Sequence, residues 1–368
     1  VMVWDAGVAL LADTPHDLNG NYLVIDKTNV TRFNGKTITG TYHPTERLTG
    51  GEIEGGIVID DVEVDLTIEN VNISYDSIII DDAAGILLKG NAKLNLTVEG
   101  ENSLKGTYGG AGIGVEENAT LIITKKSTGS LTATGGGYGA AGIGGRATVP
   151  LNGDIKSYKT GTIEIQGGNI HAVGGVCQFR NSLIRLGGAG IGTGIYGIGG
   201  TVRILGGIVK AEGGIETGAG IGGGDSGAVD SIQIGEKNGE APEVEAISYN
   251  VKYGAAIGSG RNALLDLKLS CGTINIFSGN LKVKGNIGYG GFDKIGNNRQ
   301  EGGSVDISEQ VKLKLTDGTI EPRGTECTFG KKTFQMTVYD NQLSDGTYQA
   351  DISLYRENDT EKATPVYK

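Results

Sequence analysis

The stretch "GGAGIGTGIYGIGG", residues 187–200, places eight glycines in fourteen residues. Glycine loses more backbone freedom on folding than any other residue, so neither a helix interior nor an ordinary strand carries that density. A phosphate-binding loop, a flexible linker and a corner in a periodic fold all do. Repetition decides among them. "AGIG" recurs at 111–114, 141–144, 189–192 and 219–222, with degenerate copies "AAGI" at 83–86 and "AAIG" at 255–258. The isoleucines are Ile86, Ile113, Ile143, Ile191, Ile221 and Ile257, spaced by 27, 30, 48, 30 and 36 residues. A large apolar residue held at the centre of each glycine cluster marks a buried corner, not a linker.

Two short alternating segments precede the clearest copies: "GTIEIQGGNIHAVGG" (161–175), "GTVRILGGIVKAEGG" (200–214) and "GTINIFSGNLKVKGN" (272–286). Their period of two and their Val, Ile, Leu and Thr content predict strands. Three strands per repeat, turned by glycine, form one coil of a parallel β-helix. The predicted fold is all-β: a single right-handed parallel β-helix (solenoid) with small terminal caps, its hand taken from the crossover rule. The rival propeller needs four-stranded blades of about 40–50 residues. Residues 1–50 are read as a cap and lead-in, 51–318 as the β-helix and 319–368 as a terminal hairpin or small β cap.

Stacked coils imply inward ladders. The first is expected to run Leu66, Leu96, Leu121, Ile163, Val202, Ile232, Ile274, Val305. The second runs Ile73, Leu104, Leu131, Ile170, Val209, Val244, Leu281, and the third follows the AGIG isoleucines. Extra residues at 145–161, 177–183 and 235–243 are predicted loops leaving the coil, where solenoids often place their working face.

The chain has 66 glycines and 6 prolines in 368 residues and a net charge of −11. With no Lys/Arg cluster in the sequence, nucleic acid and anionic membranes are poor partners. No apolar run approaches the roughly 20 residues of a membrane span. Cys177, Cys271 and Cys327 are odd in number and widely spaced, which predicts free thiols packed as small hydrophobes.

Several motifs carry chemistry on paper. Gly192 to Gly197 fits G-x-G-x-x-G, but the strand-like "GGTVRIL" follows where a dinucleotide site needs a helix. Gly222 to Gly227, "GGGDSG", is similar to one turn of a calcium β-roll, whose oxygen cage needs several copies. Neither a metal nor a cofactor is expected. Asp81-Asp82 beside Asp60-Asp61 is a carboxylate constellation of the kind glycoside hydrolysis uses. His16, His43 and His171 lie in different regions, and His171 takes an outward slot beside Lys210 of the next coil. No residue is assigned as catalytic.

The segments "GTVRILGGIVKAEGG…GAGIGGG" and "AAGILLKGNAKLNLTVEGENSLKG" resemble the glycine-rich (GAGIGG) repeats of large surface proteins of Firmicutes, a group described as containing carbohydrate-binding domains. The resemblance covers about residues 50–315, with Leu87 and Ala256 standing where the pattern has glycine. It implies a secreted or cell-wall-attached bacterial protein and glycan binding, and it carries over no catalytic residues.

The residues add a binding surface. Tyr108, Tyr138 and Tyr253 occupy equivalent places ahead of Ala111, Ala141 and Ala256, and Tyr289 opens the related "YGGF". Coil periodicity stacks Tyr108 over Tyr138 and Tyr253 over Tyr289, and exposed aromatic faces suit sugar rings. A tyrosine ladder that shields the corner has the same pattern. The expected protein is a monomeric, extracellular, non-catalytic module that binds a polysaccharide or a host or cell-wall glycan. The alternatives are a polysaccharide-active enzyme and a structural stalk.

Overall fold

The computed structural model describes residues 14–44, 54–75, 82–147, 157–177, 185–250, 252–262, 269–291 and 302–320, and the backbone of strands at 327–329, 332–342 and 348–356. Val, Ile and Leu at alternate positions bury one face of each short strand, and the chain returns to the same face one coil later. The result is a parallel β-helix with three strands per coil. The third face is a nine-stranded parallel sheet from Leu23–Ile25 to Ile287–Gly288. The other two faces form one continuous sheet of 17 strands, because Glu63–Ile73 spans both. Its first half pairs with Lys93–Glu99 and its end with Glu101–Lys105. From there the two ladders run separately to Ser304–Ile307 and Lys312–Thr316. Strands Leu23–Ile25 and Lys36–Tyr42, before residue 50, already belong to these ladders.

All six AGIG isoleucines stack in register, and Ile287 extends the column. Each is fully buried, which stabilises by roughly 1.5–3 kcal/mol per side chain. The other two ladders need correction by two residues at one point each. Leu121 stacks on Leu94, while Leu96 stacks on Ile123. Leu131 stacks on Asn102, while Leu104 stacks on Ala133. A slip of two keeps every side chain on its own face, so alternation alone does not resolve it. From Leu121 and from Leu131 onward the columns run as expected.

Asn102 is the polar member of an apolar column, and its exposure is 5%. Its Oδ1 accepts from the Val71 amide at 2.9 Å, and its Nδ2 donates to the Glu99 and Ser130 carbonyls at 2.7 and 3.2 Å. The buried amide is thereby satisfied.

From Gly144 onward the final glycine of the motif has a specific cause. Gly144, Gly192, Gly222 and Gly258 have φ of +131°, +137°, +132° and +136°. A Cβ on any of them would lie 1.8–2.0 Å from the carbonyl oxygen of the equivalent glycine one coil on. No side chain fits that approach.

The insertion after Gly145 returns at Thr160, which bridges Glu116, while Lys159 bridges Ile198. The 177–183 insertion starts from a two-strand neck, Val176–Cys177 against Leu186–Gly187. Cys177 and Cys271 are free and buried. The strands Cys327–Phe329, Lys332–Gln342 and Tyr348–Arg356 form a three-stranded antiparallel sheet. Among the described residues the one helix is Val30–Phe33, and no helix is long and apolar enough to cross a membrane.

Candidate functional site

On the outer side of the third face the AGIG corners present small groups, with Leu87 standing among them. A trough of about 650 Å³ runs over Ala84, Gly110, Gly114 and Gly144. One wall is Arg146 with Tyr158 and Lys159, from the two ends of the 145–161 insertion. Glu54, Asp82, Glu116 and Glu117 supply carboxylates around it.

Arg146 organises the wall. Its guanidinium donates to Asp82 Oδ2 at 3.0 Å and lies 4.5 Å over the Tyr158 ring. The other Asp82 oxygen accepts from the Gly109 amide at 2.8 Å. Among the described residues Arg146 Nε is buried without a hydrogen-bond partner. Lys159 Nζ pairs with Glu117 at 2.6 Å. Burial pushes the Glu116 carboxyl up, and the Arg146 charge counteracts it. Both Asp82 oxygens are engaged, so this carboxylate acts as a strut. Of the other expected acids, Asp60 faces Lys89 at 3.5 Å and Asp61 pairs with Lys27. Asp81 lies outside the described residues.

Immediately beside the trough, Tyr108 precedes the Gly109 that binds Asp82. The Tyr108 and Tyr138 rings stack with centroids 5.1 Å apart and planes at 22°. The Tyr138 amide donates to the Tyr108 carbonyl at 2.9 Å, which fixes the two coils together here. Both side chains are half-buried. They border a second hollow of about 280 Å³ with Tyr75, Lys105 and Thr107. Tyr138 also leans on a small apolar cluster that contains Cys177, Leu186 and Ile195.

The other two tyrosines are engaged differently. Tyr253 lies beneath Arg261, whose guanidinium carbon is 5.7 Å from the tyrosine ring centroid. Tyr289 packs against the core, and its hydroxyl donates to the Gly302 carbonyl at 2.9 Å. Between the pairs, the column passes Leu186, which is buried, and Glu216, which accepts from the Arg185 amide at 2.8 Å.

The remaining motifs resolve into structure. The strand Thr201–Ile204 follows the G-x-G-x-x-G segment, so those glycines are a coil corner. In "GGGDSG", Asp225 is fully buried and bonds Arg261 Nε at 2.7 Å. Burial pushes its carboxyl up, and the Arg261 charge opposes that shift. No group of three or more metal-ligating side chains occurs among the described residues.

A polar cluster on the second face extends the expected pairing of His171 with Lys210 to Glu212 and Tyr249, which the sequence did not bring together. His171 stands in register beside Lys210, and both contact Glu212 Oε1, at 2.7 and 2.6 Å. The Tyr249 hydroxyl donates to the other Glu212 oxygen. Burial acts to raise the Glu212 carboxyl, but the bonds from Lys210, Tyr249 and His171 outweigh it and hold it at about 2. The same bond to Glu212 pushes the Tyr249 phenol up to about 12.

No protein-family model, curated protein or solved structure matches this chain.

Proposed function

We propose that this β-helix is a non-catalytic module that binds a glycan at the Tyr108–Tyr138 stack and the adjoining trough. The observation that carries the reading is the half-buried pair of stacked rings on consecutive coils. Sugar C–H edges pack on aromatic faces, and a rigid ladder presents those faces without further ordering. The trough continues the surface with small floor residues and a wall of hydrogen-bonding groups. The likeness of the repeats to glycine-rich surface proteins of Firmicutes supports a secreted, wall-attached bacterial setting. We take the protein to work there as a monomer.

A glycan array on the full chain tests this reading, followed by affinity of Tyr108→Ala/Tyr138→Ala for the best hit. Each ring contributes about 0.5–1.5 kcal/mol beyond burial, so the double variant weakens Kd about 5- to 150-fold. Circular dichroism should stay unchanged. Unchanged affinity would move the site away from the tyrosines, and a lost fold would assign them to corner shielding.

A second reading, a polysaccharide-active enzyme, has one observation in its favour. Glu116 is a half-buried carboxyl raised by its surroundings in the trough. Release of reducing ends or unsaturated uronides from a glycan panel, abolished by Glu116→Gln, would establish it over simple binding.

A further inference from the structure

The outward side chains of the second face follow three in-register columns. The middle column reads Ser103, Thr132, His171, Lys210, Glu245, Lys282, Lys314. Beside it, Asn280 stacks with Lys312 and Lys284 with Thr316. Charge changes along this face. Lys210 is tied to Glu212 at 2.6 Å. The next rung carries Glu243 and Glu245. The last two rungs, Asn280–Lys284 and Lys312–Thr316, carry Lys282, Lys284, Lys312 and Lys314 and no acid. All four lysines are exposed.

Among the described residues none of the four makes an ion pair. Glu245 stands in register with Lys282 without bridging it. Glu309 and Asp317 lie in the turns that bound the last rung. Lys282 and Lys314 are direct cross-strand neighbours. Like charges directly opposite each other on a sheet are destabilising. The chain keeps this stack although its net charge is −11. A hollow of about 520 Å³ lies along these rungs: Lys282, Lys312 and Lys314 line one end, Glu243 and Glu245 its middle, and Ile208 and Lys210 the other end.

We propose that the lysine rungs dock a linear polyuronate, a polysaccharide with one carboxylate per sugar ring. Successive rungs root their lysines on strands about 4.8 Å apart along the solenoid axis, a repeat of the order of one sugar ring. A carboxylated chain laid along that axis meets lysines on the last two rungs and relieves the Lys282–Lys314 repulsion there, while Glu243 and Glu245 on the preceding rung limit how far it extends. Asn280, in register with Lys312, offers an amide for ring hydroxyls. Four lysines suit a single flexible chain. A duplex, with charge on every side, meets the repulsion of the acidic remainder. The site lies on a different face from the tyrosine pair and stands or falls independently of it.

The experiment is titration of the full chain with oligogalacturonate at low and moderate salt. Fully methyl-esterified oligogalacturonate, a neutral glucan and a DNA duplex serve as comparison probes. Binding to oligogalacturonate is expected, weakening as salt rises and absent for the methyl ester. Each exposed ion pair contributes a factor of about 1.5 to 5, so Lys282→Gln/Lys314→Gln lowers affinity about 2- to 25-fold. Tyr108→Ala/Tyr138→Ala leaves it unchanged. The proposal is overturned by no binding, by equal binding to the methyl ester, by an unaffected lysine variant, or by tighter binding to the duplex. Both lysines are exposed, so the variant tests charge without disturbing the core.

Discussion

Gly192→Ala isolates the close approach between coils. Gly192 has φ +137°, and an added Cβ would lie 1.9 Å from the Gly222 carbonyl oxygen. That carbonyl already accepts the Thr193 amide at 2.9 Å. Holding alanine in a conformation reserved for glycine costs about 1–3 kcal/mol. Moving the neighbouring coil aside adds about 1–3 kcal/mol of overpacking. Against this, alanine lowers the entropy of the unfolded chain, which stabilises by about 0.4–1 kcal/mol. The balance is a net loss of about 1–5 kcal/mol. Gly137→Ala is the matched control. Its added Cβ meets nothing within 4 Å and its φ is not left-handed, so only the favourable entropy remains. The two substitutions should therefore differ in sign. Coils contact only their neighbours, so damage starts locally. Urea unfolding should accordingly be combined with hydrogen exchange at the 189–193 and 219–223 amides. If Gly192→Ala proves as stable as Gly137→Ala, close coil contact does not explain the motif.

Arg261→Met leaves the fully buried Asp225 without its partner and should cost about 3–5 kcal/mol; adding Asp225→Asn should recover part of it, as read by denaturant midpoint. Glu212 is held at about 2 against an ordinary 4.5, so its contribution is complete above pH 4.5 and is lost as pH falls towards 2. Unfolding midpoints between pH 2 and 6 should show that loss in the native protein and a flatter profile in Glu212→Gln. Burial pushes the Cys177 thiol up and the Cys271 thiol to about 11. In a Cys327→Ser background, a thiol reagent should therefore label neither before unfolding and both after; native labelling would refute their burial.

The AGIG column was legible because each corner holds one large residue among glycines and alanines, so no alternative register exists. The other ladders offered two apolar residues per strand, such as Leu94 and Leu96, and a slip of two satisfies the same alternation. Asn102 hid its own place in the core, since a polar residue on an inward slot reads as outward. Stacking of Tyr108 on Tyr138 followed from coil spacing, because both sit at the same offset from the corner. That the 145–161 insertion supplies a wall was also readable, because it follows Tyr138 directly; the contacts within that wall were not. Asp82, Arg146 and Tyr158 come from distant parts of the chain, and spacing alone cannot bring them together. Glu212 was obscured in the same way: its partners His171 and Tyr249 lie on flanking coils.

The glycine contact is the same at each junction from Gly144 to Gly288, with one carbonyl lying where a side chain would otherwise stand. Each of these coils therefore ends in a surface that accepts the next regardless of its loops. Within that part of the molecule a coil is an exchangeable unit wherever no buried polar pair crosses its junctions: adding or deleting one there changes the length by about 4.8 Å and keeps the glycine contacts, whereas the Asp225–Arg261 pair ties the coils of Gly222 and Gly258 together. The Asn102 coil lacks this freedom. Its amide is bonded to Val71 on one side and Ser130 on the other, so a coil inserted at either junction would strand a buried polar group. The array can grow from its glycine corners, while Asn102 fixes where its count begins.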